Sequence, residues 1–246
     1  MTKLPLFSMI IPLIMLAACG QRGSISEEAL VATANAATTP ANAAHPVIVE
    51  LFQSQGCSSC PPANAALNAI ADRPDVIALN FSVTYWDRLG WKDIFGDPAY
   101  TQRQYDYAHT LGNENVATPQ VILNGTRAIT GNRPGELARA VASTQAPSSG
   151  PSINSDGARA NIGGGRGSGT VWLVRYDPRV QNVAIRSGEN SGRSLPHKNI
   201  VRQLDRLGSW SGSAVNYTLP KAKLAGMKSV ILVQSNNGAI LSGQKI

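Results

Sequence analysis

The run PVIVELFQS (46–54) is β-branched and aromatic, and it leads without a break into GCSSCPP (56–62). A short apolar run of this kind reads as a buried strand. Two consecutive prolines are comfortable only in the first turn of a helix. Strand, C-x-x-C turn and helix therefore follow one another directly, which commits this part of the chain to a layered α/β arrangement.

The elements that follow keep the pattern. ANAALNAIADRP (63–74) has helical spacing, with Leu67, Ile70 and Ala71 on one face and Pro74 just beyond its end. VIALNFSVT (76–84) reads as a second strand, and PAYTQRQYDYAHTLG (98–112) as a helix closed by Gly112. QVILNG (120–125) and RAIT (127–130) form an expected hairpin about Asn124-Gly125, and RPGELARAVAST (133–144) a closing helix. The small polar stretch STQAPSSGPS (143–152) then marks a boundary.

Residues 45–147 are thus expected to form an α/β domain with a helical insertion. Residues 148–246 are expected to form a smaller, mainly antiparallel, sandwich-like β domain built on TVWLVRY (170–176), NVAIRS (182–187), SAVNYTL (213–219) and SVILVQS (229–235). Charge supports the division. The chain carries a net +7, but residues 45–150 hold seven basic and nine acidic side chains, against thirteen and four in 151–246. IGGGRGSG (162–169) lacks the Lys-Ser/Thr ending and the following helix of a phosphate loop, and reads as a hairpin turn.

A strand–helix–strand unit brings two parallel strands to a common edge. The first ends at Cys57 and the second at Tyr85-Trp86-Asp87. An antiparallel 120–125 would start at the same edge, carrying Ala117-Thr118-Pro119 to it. Sites in open sheets gather at such strand ends. The surplus chain at 85–113 reads as a cap beside the cysteines, in which Trp86 and Trp91 either wall a groove or pack the added helix onto the sheet.

Three readings of Cys57 and Cys60 stay open: a redox pair, a structural disulfide, or part of a metal site. A four-residue loop closes little chain entropy, so a staple there would stabilise little. Zinc would want four ligands, and the chain has no second C-x-x-C and no H-x-x-x-H. Copper could draw on His197 or His109, neither spaced to the pair. Asp87 and Asp93 read as turn caps or proton-transfer groups. Glu50, inside an apolar strand, calls for an exposed edge or a partner such as Arg127 or Lys92.

C-x-x-C at a strand end, followed by Thr-Pro before a later strand, resembles the thioredoxin superfamily. More narrowly, VELFQSQGCSSCPPAN, YWDRLGWKDIF, TPQVILNG and GENSGRSLPHKNIVRQLDRLGSW (188–210) together resemble an uncharacterised family of secreted bacterial thioredoxin-like proteins, a domain of unknown function, over nearly all of 46–246. The resemblance implies a thioredoxin-like fold, Cys57 as attacking thiol and Cys60 as resolving thiol. It also implies that Thr118 and a cis Pro119 shape a groove for substrate backbone, beside which the cap would place Trp86; neither a diffusible cofactor nor a metal is then expected. Pro61-Pro62 departs from that pattern: a helix starting only at Pro61 would weaken the dipole's hold on a Cys57 thiolate.

The N-terminus reads as an address. Lys3, the apolar run LPLFSMIIPLIMLAA and Cys19 after Ala17 and Ala18 have the layout of a secretory signal, and LAAC (16–19) that of a lipoprotein processing box. Residues 1–18 are then the signal peptide, and 19–44 a lipidated Cys19 with a disordered tether reaching about 25–30 Å on average. The periplasmic side of the outer membrane is the expected location, where disulfides persist. The expected activity is thiol–disulfide exchange with periplasmic or envelope protein thiols and disulfides. A non-catalytic envelope binding module and a copper-handling protein are the alternatives. The stretch 188–210, with Arg193, His197, Lys198, Arg202 and Arg206, reads as a solvated basic face or as a surface for an acidic partner. Nucleic acid is not expected, because no recognition motif is present.

Overall fold

The computed structural model describes residues 40–246, so the expected signal peptide, Cys19 and most of the tether lie outside the described residues. The first elements come in the expected order: β1 (Val47–Gln53), α1 (Pro61–Ile70), β2 (Val76–Ser82), α2 (Pro98–Thr110), β3 (Gln120–Leu123), β4 (Arg127–Ile129) and α3 (Glu136–Ala142). β1 runs parallel to β2, Val47 against Val76 through Gln53 against Ser82, and antiparallel to β3 on its other side. Every residue of β1 and β2 is buried, which their near-continuous apolar character requires. Alternation divides them between two layers. Ile48, Phe52 and Phe81 pack with Tyr100 and Tyr107 of α2, while Val47, Val49 and Leu51 pack with Leu67 of α1 and Leu137 and Val141 of α3.

The Asn124-Gly125 hairpin forms as expected, with left-handed φ of 47° and 71°. It also anchors distant chain. Asn124 Oδ1 accepts from the amide of Ile48 at 2.8 Å, and its main-chain oxygen accepts from Ile240 at 2.9 Å. A Cβ on Gly125 would stand 2.0 Å from the carbonyl oxygen of Gly238, so only glycine fits.

The remaining strands are β5 (Ile153–Ser155), β6 (Arg159–Ile162), β7 (Gly169–Asp177), β8 (Gln181–Ala184), β9 (Ser194–His197), β10 (Ile200–Trp210), β11 (Val215–Thr218), β12 (Lys228–Gln234) and β13 (Ile240–Lys245). They do not make the separate sandwich expected after residue 147. Four of them extend the first sheet, giving eight strands in the order β13-β12-β7-β10-β2-β1-β3-β4; β11-β6-β5 and β8-β9 form two small antiparallel sheets. The seam is narrow: β10 meets β2 in parallel through Ile200 opposite Asn80, reinforced by the Asn80 amide donating to Asn199 at 3.0 Å. The described residues, 40–246, accordingly form one compact unit. The reason is the edge of β2, whose wholly buried residues need cover that the first 147 residues do not supply. IGGGRGSG connects β6 to β7, strands of different sheets, rather than turning a hairpin. Among the described residues no helix is long and apolar enough to cross a membrane.

Glu50 finds a partner that neither Arg127 nor Lys92 supplies. Arg103 of α2 grips it with two hydrogen bonds, Nε to Oε2 at 2.6 Å and Nη2 to Oε1 at 2.8 Å. Tyr107 donates to Oε1 at 2.8 Å, and Arg103 Nη1 reaches Gln234 of β12 at 3.1 Å. The guanidinium also lies over the rings of Tyr107 and Trp172, at 5.1 and 5.4 Å. Burial pulls the Arg103 pKa down, but the Glu50 carboxylate outweighs it and holds the group firmly cationic. Removing one member of a buried pair strands the other charge. Arg103→Ala is therefore expected to cost about 3–5 kcal/mol in urea unfolding, whereas Arg73→Ala, which breaks the partly exposed pair with Asp75, should cost no more than about 1 kcal/mol.

Candidate functional site

The turn from β1 into α1 is built by short-range bonds: the Cys57 amide donates to Ser54 O at 3.1 Å and the Cys60 amide to Cys57 O at 3.2 Å. Cys60 is the residue before the helix, and Pro61 and Pro62 occupy its first two positions. Cys57 thus stands a full turn ahead of α1, as the prolines require. Cys57 and Cys60 are joined as a disulfide with Cα atoms 5.5 Å apart.

Thr118, Pro119 and Trp86 come to the same sheet edge. The Thr118-Pro119 peptide is cis. Thr118 O lies 3.7 Å from Cys57 Sγ and accepts from Ser59 Oγ at 3.3 Å. Trp86 Nε1 donates to Thr118 Oγ1 at 2.7 Å, so its indole is tied to the segment before Pro119. Trp91 instead packs the insertion against Phe95, Val183, Ile185 and Leu195 and donates to Gln55 Oε1 at 2.9 Å. Both cysteines are wholly shielded, at 0% exposure.

Part of the shield comes from a segment whose role at the site sequence reasoning missed. The connection between β8 and β9, residues 185–193, seats its tip on the cysteine turn. Asn190, fully buried, donates through Nδ2 to Gln55 O and to Cys57 O, both at 2.8 Å, and its Oδ1 accepts from Arg193 at 2.6 Å. Glu189 Oε2 accepts from the Ser58 amide at 3.0 Å, and Ser187 Oγ donates to Gly90 O at 2.5 Å. Gly188 and Gly192, both at positive φ, shape the tip. These two glycines were the only local signal of a tight tip, and nothing in the spacing said what it would touch.

The remaining candidates serve structure. Asp87 accepts from the Asp93 amide at 3.0 Å, and Asp93 in turn accepts from the amides of Gln55 and Phe95 at 2.8 and 2.9 Å. His109 is exposed on α2. His197 is buried, held through Nδ1 by Leu195 O and edge-on to Phe95, and burial lowers its pKa. Within the basic stretch Lys198 pairs with Asp72, Arg202 lies 5.0 Å above the Phe95 ring, and Arg206 donates to Ser209. Among the described residues no three His, Cys, Asp or Glu side chains converge as a metal site.

Burial pushes the Asp93 carboxyl up to about 6, against the two amides that favour its charged form. A carboxyl whose folded pKa lies above its unfolded value of 3.8 binds its proton longer in the native state, so it favours folding at low pH and loses that contribution as pH rises through about 6. Stability measured by urea unfolding from pH 4 to 7 should therefore carry a falling contribution that Asp93→Asn removes, whatever the variant's absolute stability.

Residues 48–234 match the family model described as "Protein of unknown function (DUF1223)", and the chain belongs to that family. The structure is similar to the crystal structure of protein AGR_C_4864 from Agrobacterium tumefaciens, at 30% identity and a TM-score of 0.68, over 81% of this chain and 93% of that one. It is also similar to HBP35 of Porphyromonas gingivalis, at 12% identity and a TM-score of 0.50, over 82% of this chain and 74% of that one, a likeness of fold alone. No curated protein matches the chain.

Proposed function

We propose that this chain is a thioredoxin-like thiol–disulfide oxidoreductase of the bacterial envelope, held to the periplasmic side of the outer membrane by lipid on Cys19 and acting on protein thiols and disulfides. The observation that carries the reading is the pairing of the Cys57–Cys60 disulfide, between a strand end and a helix start, with the carbonyl before cis Pro119 at 3.7 Å from Cys57 Sγ. A substrate strand laid along Thr118 would present its sulfur to Cys57. In the reducing direction, the Cys57 thiolate attacks a substrate disulfide, forms a mixed disulfide and releases one substrate thiolate. Cys60 then attacks Cys57 Sγ, closes the Cys57–Cys60 bond and releases the second, so two electrons pass to the substrate.

Because neither cysteine is exposed, each cycle requires the Ser58-Ser59 turn or the 185–193 tip to move aside. The same shielding favours a second reading, an envelope binding module whose disulfide stays closed. Exchange activity separates the two. In a protein-disulfide reduction assay Cys57→Ser should abolish turnover, and Cys60→Ser should accumulate a mixed disulfide on Cys57. Unchanged turnover in Cys57→Ser would sink the enzymatic reading, and a C57S/C60S variant that keeps its envelope partners would favour the module.

A further inference from the structure

The tip between β8 and β9 does more than cover the cysteines. Asn190 fixes the main chain on both sides of Gly56 through its two bonds to Gln55 O and Cys57 O, and the pair of bonds aligns the rest of the tip with the turn. That alignment brings the Glu189 carboxylate onto the amide of Ser58, the residue that follows Cys57. That amide belongs to the peptide joining Cys57 to Ser58, so the carboxylate it holds stands within about a Debye length of Cys57 Sγ, where a negative charge raises the cost of a thiolate. Glu189 is exposed, and hydrogen bonding from the Ser58 hydroxyl and then from the Ser58 amide lowers its pKa, so it is ionised at neutral pH.

We infer that Glu189 is a positioning residue that disfavours the Cys57 thiolate, and that it thereby biases the pair toward the disulfide and makes the reduced protein an electron donor to its substrates. The inference rests on the thiol–disulfide reading and adds to it a direction of electron flow. In the oxidised pair neither sulfur is charged, and the carboxylate sits on the Ser58 amide without opposition. Reduction breaks the S–S bond, adds two electrons and leaves negative charge on Cys57 once its proton is lost. That charge then develops beside Glu189. The cost falls on the reduced state alone, which displaces the equilibrium toward closure of the disulfide.

Other charged groups face the turn as well. Arg193 is held on Asn190 Oδ1, Asp93 is bonded to the Gln55 amide, and Asp87 stands behind Asp93. The conservative change Glu189→Gln leaves all three in place and keeps an oxygen able to accept from Ser58, so it isolates the charge from the contact.

The test compares full-length wild type and Glu189→Gln after reduction with dithiothreitol. The rate of Cys57 alkylation is followed against pH by mass spectrometry. The midpoint of that profile reports the acidity of Cys57, and its plateau reports access past the tip. The midpoint is expected to fall by about half a pH unit in the variant, a threefold change in acidity, and the difference should shrink in high salt, as screening of an exposed charge requires. Above both midpoints, equilibration with glutathione should show the variant's disulfide about threefold easier to reduce, about 14 mV at 29.6 mV per decade for two electrons. The two electrons come from a pair of glutathione thiols, which leave as glutathione disulfide. A midpoint that stays in place or rises overturns the role given to Glu189, and a change in plateau alone would make the tip a cover without electrostatic effect. Failure of wild type to reduce protein disulfides would instead overturn the proposed function, while the midpoint comparison would still decide what Glu189 does.

Discussion

A guanidinium and a carboxylate, both almost out of water, join the parts of this molecule that the chain keeps far apart. Glu50 lies in the middle of β1, Arg103 on the helix that crosses it, and Gln234 on a strand from the far side of the sheet. A lone charge on β1 would be intolerable among Ile48, Phe52 and the rings of α2. Once Arg103 satisfies it, α2 can pack against β1, β2 and β12 together, and the apolar layer around Phe52, Tyr107, Val174 and Leu232 becomes continuous. The insertion that begins with Tyr85 is then fixed at one end by α2, which is what allows Trp86 to hold Thr118 beside the disulfide.

Around the cysteines the same economy appears in polar form. Gln55 is bonded by Asp93, Trp91 and Asn190, which come from two different insertions. Two segments without regular structure thus converge on one residue of the cysteine turn. The site's geometry is set by side chains that replace missing backbone pairing, so small changes in the insertion or in the β8–β9 connection are felt at Cys57.

Much of the first half was legible because its signals are local. β1 and β2 announce themselves by β-branched runs, Pro61-Pro62 marks the start of α1, and Asn124-Gly125 turns the hairpin it promises. β10 is hidden within a basic face because two register shifts, between Val201 and Gln203 and between Arg206 and Gly208, break the period-two alternation that marks a strand. Without β10 the sheet could not be seen to continue past β2, and the later strands looked like a domain of their own. The partner of Glu50 was hidden for another reason. Several arginines and lysines were equally eligible, and only the crossing of α2 over β1 selects Arg103. At the site, Cys57, Cys60, Thr118 and Pro119 could be brought together from strand order, whereas Glu189 and Asn190 act across more than 130 residues of chain.

That last separation has a consequence for how the molecule reaches its native state. The cysteine turn joins β1 to α1 and β2, which all lie between residues 47 and 82, whereas the tip that shields it must be brought in by closing a much longer loop. If β1, α1 and β2 assemble before that loop closes, as contact order favours, Cys57 and Cys60 face solvent until the tip arrives. During that interval the two thiols are open to whatever oxidant or mispairing partner is at hand, and arrival of the last third of the sequence ends it.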